Sequence, residues 1–243
     1  MEKIVILTKK TRKPLNKERN NDILFLISQR KVKSMSEKTI TVDGVKQPKT
    51  KVGQIKMDRL INAAEELFTT KGFYQTSITD ICKSADTAVG TFYIYFQTKT
   101  DIYRYMMKKY ERELKNRLSS AISNSYTRYE KEREGIKCFI KYAVENPNIY
   151  NIIWGSLSVE RELFTSYYES FARSYTKALE KSQSEISNAN ASVVAYILMG
   201  ISNFLGLCAM FENMSDADID RLVDEDLMPA LSRGIFKQEV PSI

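Results

Sequence analysis

Histidine is absent from all 243 residues. Without an imidazole, Ser-His and Cys-His nucleophilic catalysis and imidazole-bound metal centres are excluded at once. Cysteine is scarce: Cys82, Cys138 and Cys208 lie too far apart for a Cys-x-x-Cys metal or redox motif, and three cannot all pair internally. That usage fits a reducing cytoplasm. No glycine-rich phosphate loop occurs. The longest early apolar runs, Ile4 to Leu7 and Ile23 to Ile27, fall far short of the roughly 20 residues of a membrane span and lack a signal-peptide cleavage pattern. These gaps point away from enzymes, cofactors, metals and membranes.

What is present is charge and apolar residue in ordinary globular proportion, 28% and 43%. The chain is long enough for one domain of about 200 residues or two smaller ones. Its net charge of +7 is a sum over unlike parts. Residues 1–56 hold 15 Lys and Arg against 5 Asp and Glu, whereas the remaining 187 hold 22 against 25. Of 26 aromatic residues only Phe25 falls in that first quarter, which leaves it little with which to build a core. Residues 1–54 therefore read as a flexible basic arm, either touching DNA phosphates or merely solvated, with Lys46, Lys49, Lys51 and Lys56 nearest any DNA. Met35 and Met57 are alternative starts.

From Met57 onward the pattern is helical. Leu60, Ile61, Ala64, Leu67 and Phe68 share one face of a helix over about 55–71, stopped by Gly72. Thr76 can cap a short second helix carrying Ile78, Ile81 and Cys82, and a break at Ala85-Asp86-Thr87 precedes a third, Ala88 to Phe96. Thr98 with Asp101 forms a capping box for a long helix whose stripe runs Tyr103, Met106, Tyr110, Leu114, Leu118, Ala121. Further helices carry Ile136 to Val144, Ile149 to Ile153 after Asn146-Pro147, and Phe164 to Leu179. Residues 191–211 are the most apolar, with Val194, Ile197, Leu198, Ile201, Phe204, Leu205 and Cys208 expected inward. A last helix opens at Ser215-x-x-Asp218 and should kink at Pro229. Its acidic set, Asp216 to Asp226, lacks the loop geometry and central glycine of a calcium site. No strand pattern appears in this part.

Residues 76–96 have the layout of a helix-turn-helix. Ile78, Ile81 and Ala85 hold the first helix against the second, and Asp86 falls where the turn calls for a left-handed backbone. The run Ala64-x-x-Leu67-Phe68, Gly72-Phe73, Thr76-Ser77-Ile78, Ile81, Ala85, Val89-Gly90-Thr91-Phe92-Tyr93-x-Tyr95-Phe96, Lys99 resembles the amino-terminal domain of the tetracycline-repressor (TetR) family of bacterial transcription regulators. The likeness covers roughly residues 57–105.

That resemblance implies an all-α protein: a helix-turn-helix DNA-binding head over 55–100 and a helical effector-binding and dimerisation body over 101–243. It implies DNA contacts from Thr76, Ser77, Thr87, Ala88, Val89, Gly90, Thr91, Tyr93, Tyr95 and Lys99. Two departures stand out: Asp86 replaces the usual turn glycine, and Ala88-Val89 replaces a serine-basic pair. A recognition helix without Arg, Lys, Asn or Gln must lean on thymine methyls, hydroxyls and DNA shape. In the body, Tyr142, Trp154, Phe164, Tyr168, Phe171 and Phe204 are either ordinary core or the lining of an effector pocket. The expected function is a cytoplasmic, homodimeric regulator, a repressor released from a palindromic double-stranded DNA operator by a small-molecule effector. The alternative is a basic-armed helical structural or membrane-surface protein without specific DNA recognition.

Overall fold

A computed structural model describes residues 41–42, 45–186 and 189–234. The chain divides into a unit of residues 1–42, of which only the short strand Thr41–Val42 is described, and a unit of residues 43–243. The arm expected over residues 1–40 lies outside the described residues.

The second unit opens on a two-residue strand, Val45–Lys46, and continues as helices. Helix α1 spans Lys51–Thr70, so four residues assigned to the arm are helical. The cause is local: Thr50 accepts a hydrogen bond from the Gly53 amide at 3.1 Å and sets the start. Its buried face, Met57, Leu60, Ile61, Ala64 and Phe68, keeps the expected three-four spacing. Gly72, at φ +83°, makes the turn that follows.

Helices α2 (Ile78–Ser84) and α3 (Val89–Tyr95) form the helix-turn-helix. Asp86 between them is left-handed at φ 51°, as its place in the turn requires. Helix α4 (Lys99–Ala121) starts at the Thr98–Asp101 capping box and buries Tyr103, Met106, Tyr110 and Leu114. Then come α5 (Arg128–Glu145), α6 (Pro147–Val159), α7 (Arg161–Glu180), a 3-10 turn at Gln183–Glu185, and α8 (Ala191–Glu212). Asn146 precedes the N1 proline of α6, but its side chain turns back to donate to the Tyr142 carbonyl at 2.9 Å and caps nothing.

After α8 come α9 (Asp216–Arg221), a π-helical turn Leu222–Leu227 and α10 (Met228–Arg233), which follow one another without a break. Ahead of Pro229 the helix widens into a π turn, where the Met228 amide donates to the Val223 carbonyl. Arg133 and Lys137 of α5 grip Asp224 at 2.5 and 2.8 Å, and Lys141 reaches Asp220 at 3.0 Å. Asp216, Asp220 and Asp224 of the acidic set thus pair with basic residues of α5, while Asp218 caps the start of its own helix. Among the described residues no group of three or more potential ligands could hold a metal ion.

One apolar core runs without a break from Val45 through α1, α3 and Phe96 into α4, and on to Ile152 of α6 and Tyr167 of α7. A smaller one joins Ile136 and Ile140 to Ala209, Ile219, Val223 and Met228.

Helix α8 corrects one expectation. Ala195, Leu198, Ser202, Gly206 and Ala209 face inward, while Ile197 and Phe204 are about half and two-thirds exposed (52% and 64%) and Cys208 is exposed as well. The small residues win the inner face because α5 approaches closely: a β-carbon on Gly206 would lie 3.3 Å from both Ala143 and Phe139. By length and mean hydropathy (2.0) α8 is apolar enough to cross a membrane, and 28% of its most apolar window is buried.

Candidate DNA interface and effector cavity

The turn between α2 and α3 fixes which recognition-helix residues look outward. Phe92 and Phe96 stack into the core with ring centroids 5.6 Å apart, and this turns Ala88, Val89, Gly90, Tyr93 and Ile94 to the surface. Tyr93 and Ile94 are 53% and 54% exposed. Ile94 was missed by the sequence reading, although its place four residues after Gly90 puts it on the same helical face. Gly90 has open space where a side chain would stand, so the backbone of α3 can come close to a partner. Thr91 is half-buried. The Thr87 hydroxyl is buried and without a hydrogen-bond partner among the described residues.

Three of the ten residues carried over by resemblance are engaged inside the head. Thr76 is 1% exposed, and its hydroxyl lies 2.8 Å from the Gly72 carbonyl and 3.2 Å from that of Leu67. The α2 cap therefore falls to Ser77, whose hydroxyl donates to Asp80 at 2.7 Å and accepts from the Asp80 amide at 3.0 Å. The hydrogen bond from the Ser77 amide leads in holding the Asp80 carboxyl below its usual range. Tyr95 is buried and donates to the Gly53 carbonyl at 3.0 Å. The Lys99 ammonium donates to the carbonyls of Phe73 (2.5 Å) and Thr76 (2.6 Å) and sits 4.3 Å from the Phe73 ring centre. Burial pushes its pKa down. It ties the loop after α1 to the start of α4.

Helix α6 is tied both to the loop after α1 and to α4. Tyr74 donates to the Ser158 carbonyl at 2.5 Å, Tyr103 to that of Ile152 at 2.5 Å, and Arg104 pairs with Glu160 at 2.9 Å. Tyr110 of α4 donates to Glu65 of α1 at 2.6 Å, and burial drives its pKa far above the ordinary phenol value.

The body holds a cavity of about 390 Å³ between α4, α5, α7 and α8. Its apolar wall includes Leu114, Leu118, Ile122, Ile136, Phe139, Phe171 and Met199, and its polar wall Lys115, Arg128, Lys131, Glu132, Tyr175 and Asn203. Three of those four charges are already paired. Arg128 binds Glu132, which also accepts from Tyr175. Lys115 lies 2.8 Å from Glu111 and donates to Ser170 at 2.7 Å. Burial would raise the Glu111 pKa, but Lys115 and Ser170 hold it below the usual carboxylate range. Lys131 has no ion pair among the described residues.

Of the six aromatic residues singled out in the body, Tyr168 and Phe171 line this cavity. Tyr142 lines a neighbouring void of about 10 Å³, with its hydroxyl buried and unpartnered among the described residues. Trp154 and Phe164 instead stack on each other, 5.8 Å between ring centres, and Phe204 lies on the outer face of α8. Arg128, Glu132, Met199 and Asn203 were not anticipated, because a cavity formed by four helices leaves no periodic mark on any one of them.

Residues 60–106 match the sequence profile of "Bacterial regulatory proteins, tetR family". An HTH-type transcriptional regulator of Bacillus subtilis (strain 168), YvdT, is 48% identical over 44 residues, 18% of this chain and 23% of that protein. The fatty acid metabolism regulator protein of the same organism is 33% identical over 73 residues, 30% of this chain and 38% of that one. The chain thus spans less than two thirds of the length of the curated relatives it matches. The crystal structure of the transcriptional regulator FadR from Bacillus subtilis in complex with stearoyl-CoA superposes with a TM-score of 0.61 at 19% identity, covering 74% of this chain and 99% of that one. At that identity the likeness is one of fold.

Proposed function

We propose that this chain, whose residues 60–106 form a head of the tetR family of bacterial regulatory proteins, is a ligand-responsive transcription regulator and no enzyme. The observation that carries this reading is the outward face of α3, where Ala88, Val89, Gly90, Tyr93 and Ile94 stand free beside the exposed Ser77. A helix so presented enters a major groove, and its lack of charged readers leaves methyl contact and DNA shape to choose the sequence.

The working form is a homodimer on a palindromic operator, because two heads double the sequence read and must match half-sites about one helical turn apart or a multiple of it. Val193, Ile197, Gly200, Phe204, Cys208 and Phe211 recur at three- and four-residue steps on the outer side of α8 and supply the seam. A second copy covering that stripe also accounts for the apolar character of α8 in a protein that works in the cytoplasm.

The effector occupies the 390 Å³ cavity, within the roughly 300–1,000 Å³ of small-molecule sites. A long apolar wall with an unpaired lysine, Lys131, suits a fatty acyl group joined to an anionic head. The stearoyl-CoA bound by the structural neighbour supports that class. Helix α4 is the lever: Lys99 fixes its first turn to the head, and Leu114, Lys115 and Leu118 meet the cavity four turns on. The effector favours a head spacing that no longer fits the operator, and the shift is limited to its differential affinity for the two arrangements.

The test is selection of host genomic fragments with the purified protein, then competition by stearoyl-CoA against coenzyme A alone. A palindromic site released by the acyl thioester is the expected result. Failure to recover any preferred duplex removes the regulator reading, and a recovered site that ignores acyl thioesters removes the effector class.

A further inference from the structure

We propose that residues 45–51 form a second DNA-contacting element, a basic strip pinned beside the recognition helix that binds backbone phosphates; this rests on the DNA-binding reading above. Residues 45–56 contain four lysines, Lys46, Lys49, Lys51 and Lys56, and no carboxylate. All four are exposed, and none has an ion pair among the described residues. The charge is held in place. Val45 is 2% exposed within the core of the head, Pro48 packs at the Gly53 backbone, and Tyr95 at the end of α3 donates to the Gly53 carbonyl.

The anchor makes chemical sense of Tyr95. A phenol on the recognition helix is spent on fixing the chain ahead of α1, so the cations stand next to α3 instead of trailing away. That position compensates for α3 itself, which carries no cation, in a head whose residues 57–110 hold 7 Lys and Arg against 6 Asp and Glu. Groove contacts then come from α3, and most of the sequence-independent electrostatic attraction from the strip.

The experiment uses the full chain and its triple variant K46A/K49A/K51A, with a random-sequence duplex and a selected operator, each titrated over a range of salt. Each phosphate contact contributes about 0.9 to the slope of log affinity against log salt, so the variant's slope should be shallower by roughly 2.7 per protomer. Both duplexes should lose affinity by a similar factor, which keeps their ratio. An unchanged slope in a variant that still binds operator overturns the strip and leaves the regulator standing, whereas a wild-type chain that retains no duplex at low salt overturns both. Val52 and Ile55, exposed beside the lysines, call for a vesicle arm. Loss of binding to phosphatidylserine vesicles in the triple variant, with the DNA slope unaltered, would reassign the strip to a membrane surface.

Discussion

Replacing Gly90 with alanine should stabilise the protein and weaken its hold on DNA. The glycine is the second residue of α3, its backbone is helical, and a new β-carbon would meet nothing within 4 Å. Removing glycine's extra freedom in the unfolded chain is worth about 0.4–1 kcal/mol where the native backbone suits alanine. For a chain of this size that is a rise of about 1–4 °C in Tm. In the proposed groove contact the same methyl would stand between the α3 backbone and the base edges, and Gly90→Leu would enlarge the obstruction without touching the core. The expected loss is about tenfold or more for alanine, or roughly 1.4 kcal/mol, and greater for leucine. Thermal denaturation and fluorescence anisotropy on the same preparations read both signs. A Gly90→Ala protein with raised Tm and undiminished operator affinity would show that this face of α3 does not lie against DNA.

Three further outcomes follow from other parts of the molecule. Phe204→Arg, on the exposed stripe of α8, should give monomers in sedimentation velocity and a loss on the order of 10² or more in operator affinity, since the second head no longer binds as part of the same particle. Arg133 first and Lys137 next hold the Asp224 carboxyl down at about 2. Its unfolded value is about 3.9, so its stabilisation is complete above about pH 5 and fades as pH falls toward 2. Asp224→Asn should therefore cost about 1–2 kcal/mol at neutral pH, and the gap from wild type should close on acidification in denaturant melts. Ala178→Phe, which fills part of the cavity, should leave operator binding intact while abolishing release by stearoyl-CoA in the anisotropy assay; normal release would place the effector elsewhere.

Local chemistry made part of this structure legible in the sequence. The capping boxes Thr98–Asp101 and Ser215–Asp218 form where their spacing announced them, and the left-handed Asp86 follows from the length of the turn. Adjacent hydroxyls were not separable: Thr76 and Ser77 can both cap, and only the packing of the loop against Leu67 decides that Thr76 goes inside. Tyr95 and Lys99 show the same limit. Their types suit phosphate contact, but a neighbouring carbonyl, supplied by Gly53 or by Phe73 and Thr76, claims each polar end. Helix α8 is apolar on nearly every side, so its period could not tell the face toward α5 from the face toward solvent. The close approach at Gly206 settles that choice.

The core that passes from Val45 through Phe96, Tyr103 and Tyr110 to Tyr167 has a consequence for how such a molecule can be rebuilt. A head bolted on through a linker could be exchanged like a cassette, giving one body many operators. Here the seam between head and body is hydrocarbon and aromatic packing, crossed by the bonds from Tyr74 to the Ser158 carbonyl and from Tyr110 to Glu65. A transplanted head would bring mismatched volumes to that seam, so chimeras cut near residue 100 should unfold in one cooperative, lowered transition. Specificity in this lineage is then easier to change one outward residue of α3 at a time than by recombination of whole parts.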